Sequence, residues 1–300
     1  QLTKLPKEIA QLTQLKKLDL SGNHFTEVPK EIRLLDQLQT LYLSDNQITE
    51  LPKEITQLHQ LQSLDLDRNK ITTLPKEINN FNHLTVLSLA ENQISQLPKQ
   101  VGQLYRLKEL DLSYNRFTEW PKEIEQLTQL QDLNLTGNQL TQLPKEINML
   151  HQLQALYLSY NQLKELPKEI GQFAQLRTLF LGDNQLTKVP QEVGRLGKLT
   201  TLSLAENKLK ALPKEIANLT QLETLYLNKN QFTKVPKEVM QLSGLTTLYL
   251  EHNQLSKLPK EIGQLKLASL SLKDNLFDVF NDEEQTNITA WLPNCAISWE

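Results

Sequence analysis

The chain repeats itself every 23 residues, and this period constrains its fold more than any other feature. Leu153 to Gln175, LQALYLSYNQLKELPKEIGQFAQ, is one full unit. Leu153, Leu156 and Leu158 form an L-x-x-L-x-L run, Asn161 follows, and then come Leu163, Leu166, Pro167, Ile170 and Phe173. Shifting the frame by one period lands each on its equivalent. The asparagine recurs at Asn23, Asn46, Asn69, Asn92, Asn115, Asn138, Asn161, Asn184, Asn207, Asn230 and Asn253, and Asn275 comes one residue early. Of the 13 prolines, 12 keep this register from Pro6 to Pro259, and only Pro293 stands outside it. A unit of this length cannot bury its apolar face alone, so successive units must stack into a solenoid with one continuous core.

Each position has a physical task. Leu156 and Leu158 alternate with Tyr157, the period of a strand with one buried face. Stacking such strands about 4.8 Å apart gives a parallel sheet. The asparagine side chain has two N–H donors and a carbonyl acceptor, enough to satisfy the backbone of neighbouring turns inside the stack. The proline fixes its own φ and extends the residue before it. Pro-Lys-Glu then reads as the start of a short helical turn, with the glutamate near its positive end, and Ile170 and Phe173, three apart, face the core. Repeated Lys-Glu neighbours such as Lys53-Glu54 and Lys237-Glu238 make a solvated, charge-balanced back.

L-x-x-L-x-L-x-x-N at this spacing is the signature of a leucine-rich repeat. The expected fold is an α/β leucine-rich repeat solenoid, a curved horseshoe with a parallel sheet on its concave face and short helical turns on its convex face. A single domain is expected: residues 1–14 as a partial N-terminal unit, 15–275 as twelve repeats and 276–300 as a C-terminal cap. Phe25, Phe81, Phe117, Phe173, Phe232, Phe277 and Phe280 read as core residues, as does Trp120, which stands where leucine is usual. Asn281 to Leu292, NDEEQTNITAWL, reads as an amphipathic helix with Ile288, Trp291 and Leu292 on one side. Cys295 to Trp299 reads as a last extended segment, and together these cover the final apolar cross-section. Gln1 to Pro6 matches the middle of a repeat, without an initiator methionine or signal peptide, so further sequence upstream is expected.

Several functions find no support. A formal net charge of −3 provides no basic stripe for nucleic acid. No apolar run reaches the roughly 18–20 residues of a membrane span. Cys295 is the sole cysteine, so no intrachain disulfide is possible. His24, His59, His83, His151 and His252 fall at scattered repeat positions, without a metal-binding or phosphate-binding motif. The reading therefore assigns no catalytic residue, no cofactor and no metal. Asp65 and Asp67 share a face and leave a weak divalent-ion site open, but further oxygen ligands at suitable spacing are not evident. The sequons at Asn134, Asn218 and Asn287 read as chance.

The variable residues around the strand leucines carry the information about partners. Six of the seven tyrosines, Tyr42, Tyr114, Tyr157, Tyr160, Tyr226 and Tyr249, lie on the concave face, and Tyr105 lies elsewhere. Phe180, the one phenylalanine outside a core position, follows Tyr157 in the same column of the next unit, and Tyr226 and Tyr249 are likewise consecutive. Rings on adjacent coils come within pairing distance. Arg177, Lys229 and His252 lie among them. The recognition reading takes Tyr157, Tyr160, Phe180, Arg177, Tyr226, Lys229, Tyr249 and His252 as partner-binding residues for a protein or glycan. The alternative is that tyrosine simply suits an exposed strand. The N-terminal half of this face is more acidic, with Asp19, Asp45, Asp65, Asp67, Glu91, Glu109, Asp111 and Asp132.

Leu163 to Gln172, LKELPKEIGQ, resembles the idiom of the 23-residue leucine-rich repeat proteins of pathogenic spirochaetes such as Leptospira. Trp291-Leu292-Pro293-Asn294-Cys295 resembles their terminal L-L-P-x-C segment, with tryptophan at the first leucine. Bacterial effectors that join such repeats to a ubiquitin-ligase domain are less similar, as are eukaryotic scaffolds of the Ras-binding repeat type. The resemblance implies a non-enzymatic, secreted or surface-exposed virulence protein whose partner is a host cell-surface or matrix protein, and carries over no ligand residue. The competing reading is an intracellular scaffold for a signalling partner. A third, a hydrolase or transferase, requires a coupled nucleophile and base, and none is legible. The sequence leaves the oligomeric state open.

Overall fold

The computed structural model describes residues 1–276 and 282–299. It contains two compact units, Gln1–Leu140 and Thr141–Glu300. In the first, six short strands follow one another: β1 (Lys17–Asp19), β2 (Thr40–Tyr42), β3 (Ser63–Asp65), β4 (Val86–Ser88), β5 (Glu109–Asp111) and β6 (Asp132–Asn134). Each pairs in parallel with the next, one period apart, so that Leu18 faces Leu41, Leu41 faces Leu64 and Leu87 faces Leu110. In the second unit the same parallel order runs through β7 (Ala155–Tyr157), β8 (Thr178–Phe180), β9 (Thr201–Ser203), β10 (Thr224–Tyr226), β11 (Thr247–Tyr249), β12 (Ser269–Ser271) and β13 (Ala296–Ser298). This is the leucine-rich repeat solenoid that the period predicts.

The return path is a five-residue 3-10 helix that begins after each in-register proline, as at Lys30–Leu34 and Lys168–Gln172. Its bonds span three residues: the Ile32 N–H donates to Pro29 at 3.1 Å and the Leu35 N–H to Ile32 at 3.0 Å. Three residues per turn aligns side chains three apart, so Ile32 and Leu35, both fully buried, point into the same core. Ile170 and Phe173 do the same in the second unit. Phe25, Phe81, Phe117 and Phe232 are buried as read, whereas Trp120 is half-buried. Phe277 and Phe280 lie outside the described residues. On the helical side the lysines of the Lys-Glu neighbours are exposed and several of the glutamates, Glu54 and Glu238 among them, are half-buried; Lys145 and Lys214 approach Glu146 and Glu215 only at 3.8 and 4.0 Å, contacts of little energetic weight.

Inside each unit the asparagines join consecutive coils. The Asn184 amide donates to Leu158, one repeat back, at 2.9 Å and to Leu181 and Gly182 of its own repeat at 3.1 and 3.2 Å. Its carbonyl accepts the Leu163 N–H at 2.9 Å. Asn46 repeats the pattern with Leu20, Leu43, Ser44 and Phe25 in the first unit. Both asparagines are buried at 8% exposure, where each backbone group left unmatched would cost about 1–3 kcal/mol.

The residue before each asparagine has a left-handed backbone. Asp45, Arg68, Glu91, Tyr114, Tyr160, Asp183, Glu206, Lys229, His252 and Asp274 have φ between 51° and 55°, and Gly22 and Gly137 have 66° and 69°. At the C-terminus, α1 (Asp282–Trp291) takes the place of the 3-10 helix. Ile288 and Leu292 are buried and Trp291 is half-buried. The Trp291 backbone lies against Gly263 of the preceding turn, while β13 pairs with β12. Helix and strand together form the last layer of the second unit.

Candidate recognition surface

Strand register builds a row of rings on the sheet side of the second unit. Tyr157 stands opposite Phe180, and Tyr226 opposite Tyr249. The first pair stacks with centroids 5.4 Å apart and planes 11° apart; the second stacks at 4.6 Å and 2°. Ser203 of β9 faces both Phe180 and Tyr226. Its side chain is small and 6% exposed, so the Phe180 and Tyr226 rings close over it at 6.3 Å and 42°. Four rings therefore form one continuous row, where the sequence shows two separate pairs; the size of the intervening serine is the signal that foretells the bridge. All four are half-buried. The Tyr226 hydroxyl is held above its ordinary pKa by burial and then by Tyr249.

Because the rings stand face to face, each stacked pair covers its two inner faces and leaves its ring edges as contact surface. Such an edge suits polar and aliphatic protein surface. Sugar binding uses an open aromatic face, which the stacking removes between the paired rings.

Tyr160, Lys229 and His252 lie in the left-handed column, beyond the strand ends, and join a line of charges. The Tyr160 hydroxyl bonds to Asp183, which also contacts Glu206. Burial, followed by the Glu206 charge, raises the Asp183 carboxyl. Lys229 Nζ reaches Glu206 Oε1 at 2.8 Å, a bond that raises the lysine further. His252 Nε2 lies 3.4 Å from Asp274 Oδ2. Lys229 and His252 are thus engaged within their own column. Arg177 is exposed immediately before β8, at the opposite end of that strand from Asp183. The structure assembles the four rings and places these other residues along the margins.

The sheet side of the first unit differs. Lys17 Nζ lies 4.9 Å over the Tyr42 ring. Arg68 Nε bridges to Asp45 at 2.7 Å and its Nη1 approaches Glu91 at 3.9 Å. Asp132 stands opposite Glu109, and burial, then Glu109 and Asp111, push its carboxyl up to about 6. Asp65 Oδ1 accepts the Asp67 N–H at 2.9 Å, and Asp67 Oδ1 accepts from Ser88 Oγ and the Ala90 N–H at 2.6 and 2.7 Å. These oxygens serve their own chain. Among the described residues no three His, Cys, Asp or Glu side chains converge to hold a metal ion.

A leucine-rich repeat region model matches residues 3–70, 58–139, 121–205 and 168–231, and a leucine rich repeat model matches 220–277. The chain belongs to the leucine-rich repeat family. Among solved structures, this leucine-rich repeat protein is similar to one from Leptospira interrogans, with 38% identity, a TM-score of 0.78 and coverage of 99% of this chain and 93% of that one. It is also similar to the functional domain of InlJ from Listeria monocytogenes, with 25% identity, a TM-score of 0.77 and coverage of 96% and 63%. A plant peptide hormone receptor, RGFR1 in complex with RGF2, has 27% identity, a TM-score of 0.70 and coverage of 91% and 53%. No curated protein matches. Among the described residues, no helix is long and apolar enough to cross a membrane.

Proposed function

We propose that this leucine-rich repeat protein is a non-enzymatic binding module, secreted or exposed at a bacterial surface, which holds a host protein on the sheet side of residues 141–300. The observation that carries the reading is the unbroken row Tyr157, Phe180, Tyr226 and Tyr249. Large aromatic side chains dominate the energetics of protein interfaces, and these four are dispensable for the core, which the strand leucines fill from the other face. Edge presentation favours a protein over a glycan. The likeness to a Leptospira interrogans protein and to a Listeria monocytogenes domain supports the bacterial setting. The whole chain is taken as one repeat domain, with Tyr160, Arg177, Lys229 and His252 as margin contacts.

The test compares the wild-type chain with the combined variant Tyr157→Ala, Phe180→Ala, Tyr226→Ala, Tyr249→Ala as baits for host matrix and cell-surface extract. A partner retained by the wild type and lost by a folded variant is the expected outcome, with a loss of at least 100-fold in affinity, on the order of two hot-spot residues. Equal retention by both baits would refute the assignment of this face.

A further inference from the structure

Glu251 and Asn228 hold the same position in consecutive repeats, two residues after Tyr249 and Tyr226. Their backbones adjoin, since the N–H of Lys229 donates to the carbonyl of Glu251 at 2.8 Å. Both side chains are half-buried. Glu251 Oε2 and Asn228 Oδ1 are shut off from solvent, yet neither accepts a hydrogen bond. Buried acceptors without donors are uncommon and unfavourable, so two on adjacent coils require a physical reason.

The protein's own basic side chains do not provide it. Lys229 is drawn one coil back to Glu206 at 2.8 Å, and His252 one coil forward to Asp274 at 3.4 Å. Lys229, on the adjoining coil, and His252, next in sequence, therefore turn away from it in opposite directions, and Lys273, at the same position of the next coil, makes no bond to its Oε2. Asp67 occupies the same repeat position in the first unit and shows the contrast: Ser88 Oγ and the Ala90 N–H saturate its Oδ1 at 2.6 and 2.7 Å. An acid at this position can be satisfied from within, and Glu251 is not.

Resting on the reading of the ring row as the recognition face, we propose that the partner seats an arginine side chain against Glu251 and Asn228, beside the Tyr226–Tyr249 stack. A guanidinium carries five N–H donors in a planar fork, which can serve a carboxylate and an amide carbonyl on neighbouring coils together. Neither oxygen gives up a hydrogen bond when its side chain turns outward to meet the donor. The neighbouring tyrosine edges exclude water, which strengthens the charge-assisted bond.

The probe is a displayed library of random dodecapeptides, selected on the whole chain. Peptides that bind the wild type, fail on the fourfold ring variant and are enriched in arginine are expected. Their affinity should fall roughly tenfold or more in the isosteric E251Q, as when a charged hydrogen bond is lost, and arginine-to-lysine replacement in the peptide should weaken binding as well. The reversed charge of Glu251→Arg should select acidic peptides instead. Peptides that need the ring row but show no arginine enrichment, or bind E251Q as tightly as wild type, would overturn this inference and leave the proposed face standing. Peptides indifferent to the ring variant, or no peptides at all, would overturn both. If the Asn228 amide instead turns its N–H to Glu251 internally, E251Q lowers the melting temperature without changing the selected peptides, and that result also rejects the arginine seat.

Discussion

Each strand-ending asparagine joins two coils through a single amide, and the residue before it takes the left-handed backbone that makes this geometry possible. Left-handed φ costs a non-glycine residue roughly 1–2 kcal/mol, yet ten of them adopt it, because the Asn184-type bonds on either side hold the turn. The leucines, asparagines and prolines were legible in the sequence because each is nearly invariant across the units. The left-handed column was not, because Tyr160, Lys229 and His252 differ in chemistry and share only a backbone angle; Gly22 and Gly137 in that column are the signal that points to it. Asp132 is the residue where electrostatics makes a measurable prediction. Its carboxyl is raised to about 6 by burial and by Glu109 and Asp111, so the folded state prefers it neutral. Between the unfolded value near 4 and the folded value near 6, the folded chain binds more protons, and stability falls as pH rises through that window. Above it the penalty is constant, on the order of 1–2 kcal/mol after allowance for solvent screening. Asp132→Asn should therefore raise the melting temperature at pH 7 and leave it unchanged at pH 4, as scanning calorimetry at both pH values would show.

The return turns set how closely neighbouring coils approach. Ile and Leu three residues apart announce a helical turn in the sequence, and the 3-10 form follows from that spacing. Which glycines matter is not legible, because the position of Gly171 and Gly194 holds Asn148, Ala217 and Met240 in other repeats. In the structure, a Cβ at Gly171 would overlap the Glu192 carbonyl, and one at Gly194 the Glu215 carbonyl. These obstacles are backbone and cannot rotate away. Gly171→Ala or Gly194→Ala should lower stability by about 1–3 kcal/mol, whereas Gly197→Ala, with nothing within 4 Å, should cost much less in urea titrations. Trp120 deforms its own turn: Pro121 has ψ 91° where Pro167 has 149°. A cleft of about 470 Å³ opens beside it, lined by Ser95, Gln96, Thr118 and Glu119 among others. Substituting an indole for a leucine exceeds the space of one layer, so the sequence position that reads as core is only partly so. The terminal helix was legible from its acidic start and the spacing of Ile288 and Leu292, and its α rather than 3-10 form reflects its length of ten residues.

At the scale of the whole molecule, the repeated positions specify the solenoid, and the proposed recognition rests on the variable ones. The repeat solenoid was readable from the period, since each unit needs its neighbours to bury its leucines. The candidate site was readable in part. The sorting of tyrosines to one face is a sequence property, but the closure of Phe180 and Tyr226 over Ser203 depends on ring tilt, and the pairing of Lys229 and His252 with Glu206 and Asp274 depends on side-chain direction. The central claim is that this ring row is the surface a partner covers. Hydroxyl-radical footprinting of the chain alone and in complex with a protein captured from host-surface extract tests it most directly. The account predicts that Tyr157, Phe180, Tyr226 and Tyr249 lose reactivity in the complex, while Tyr105, exposed at 64%, keeps it. Unchanged reactivity along the row, with protection at Tyr105 or over the Lys-Glu turns, would contradict it.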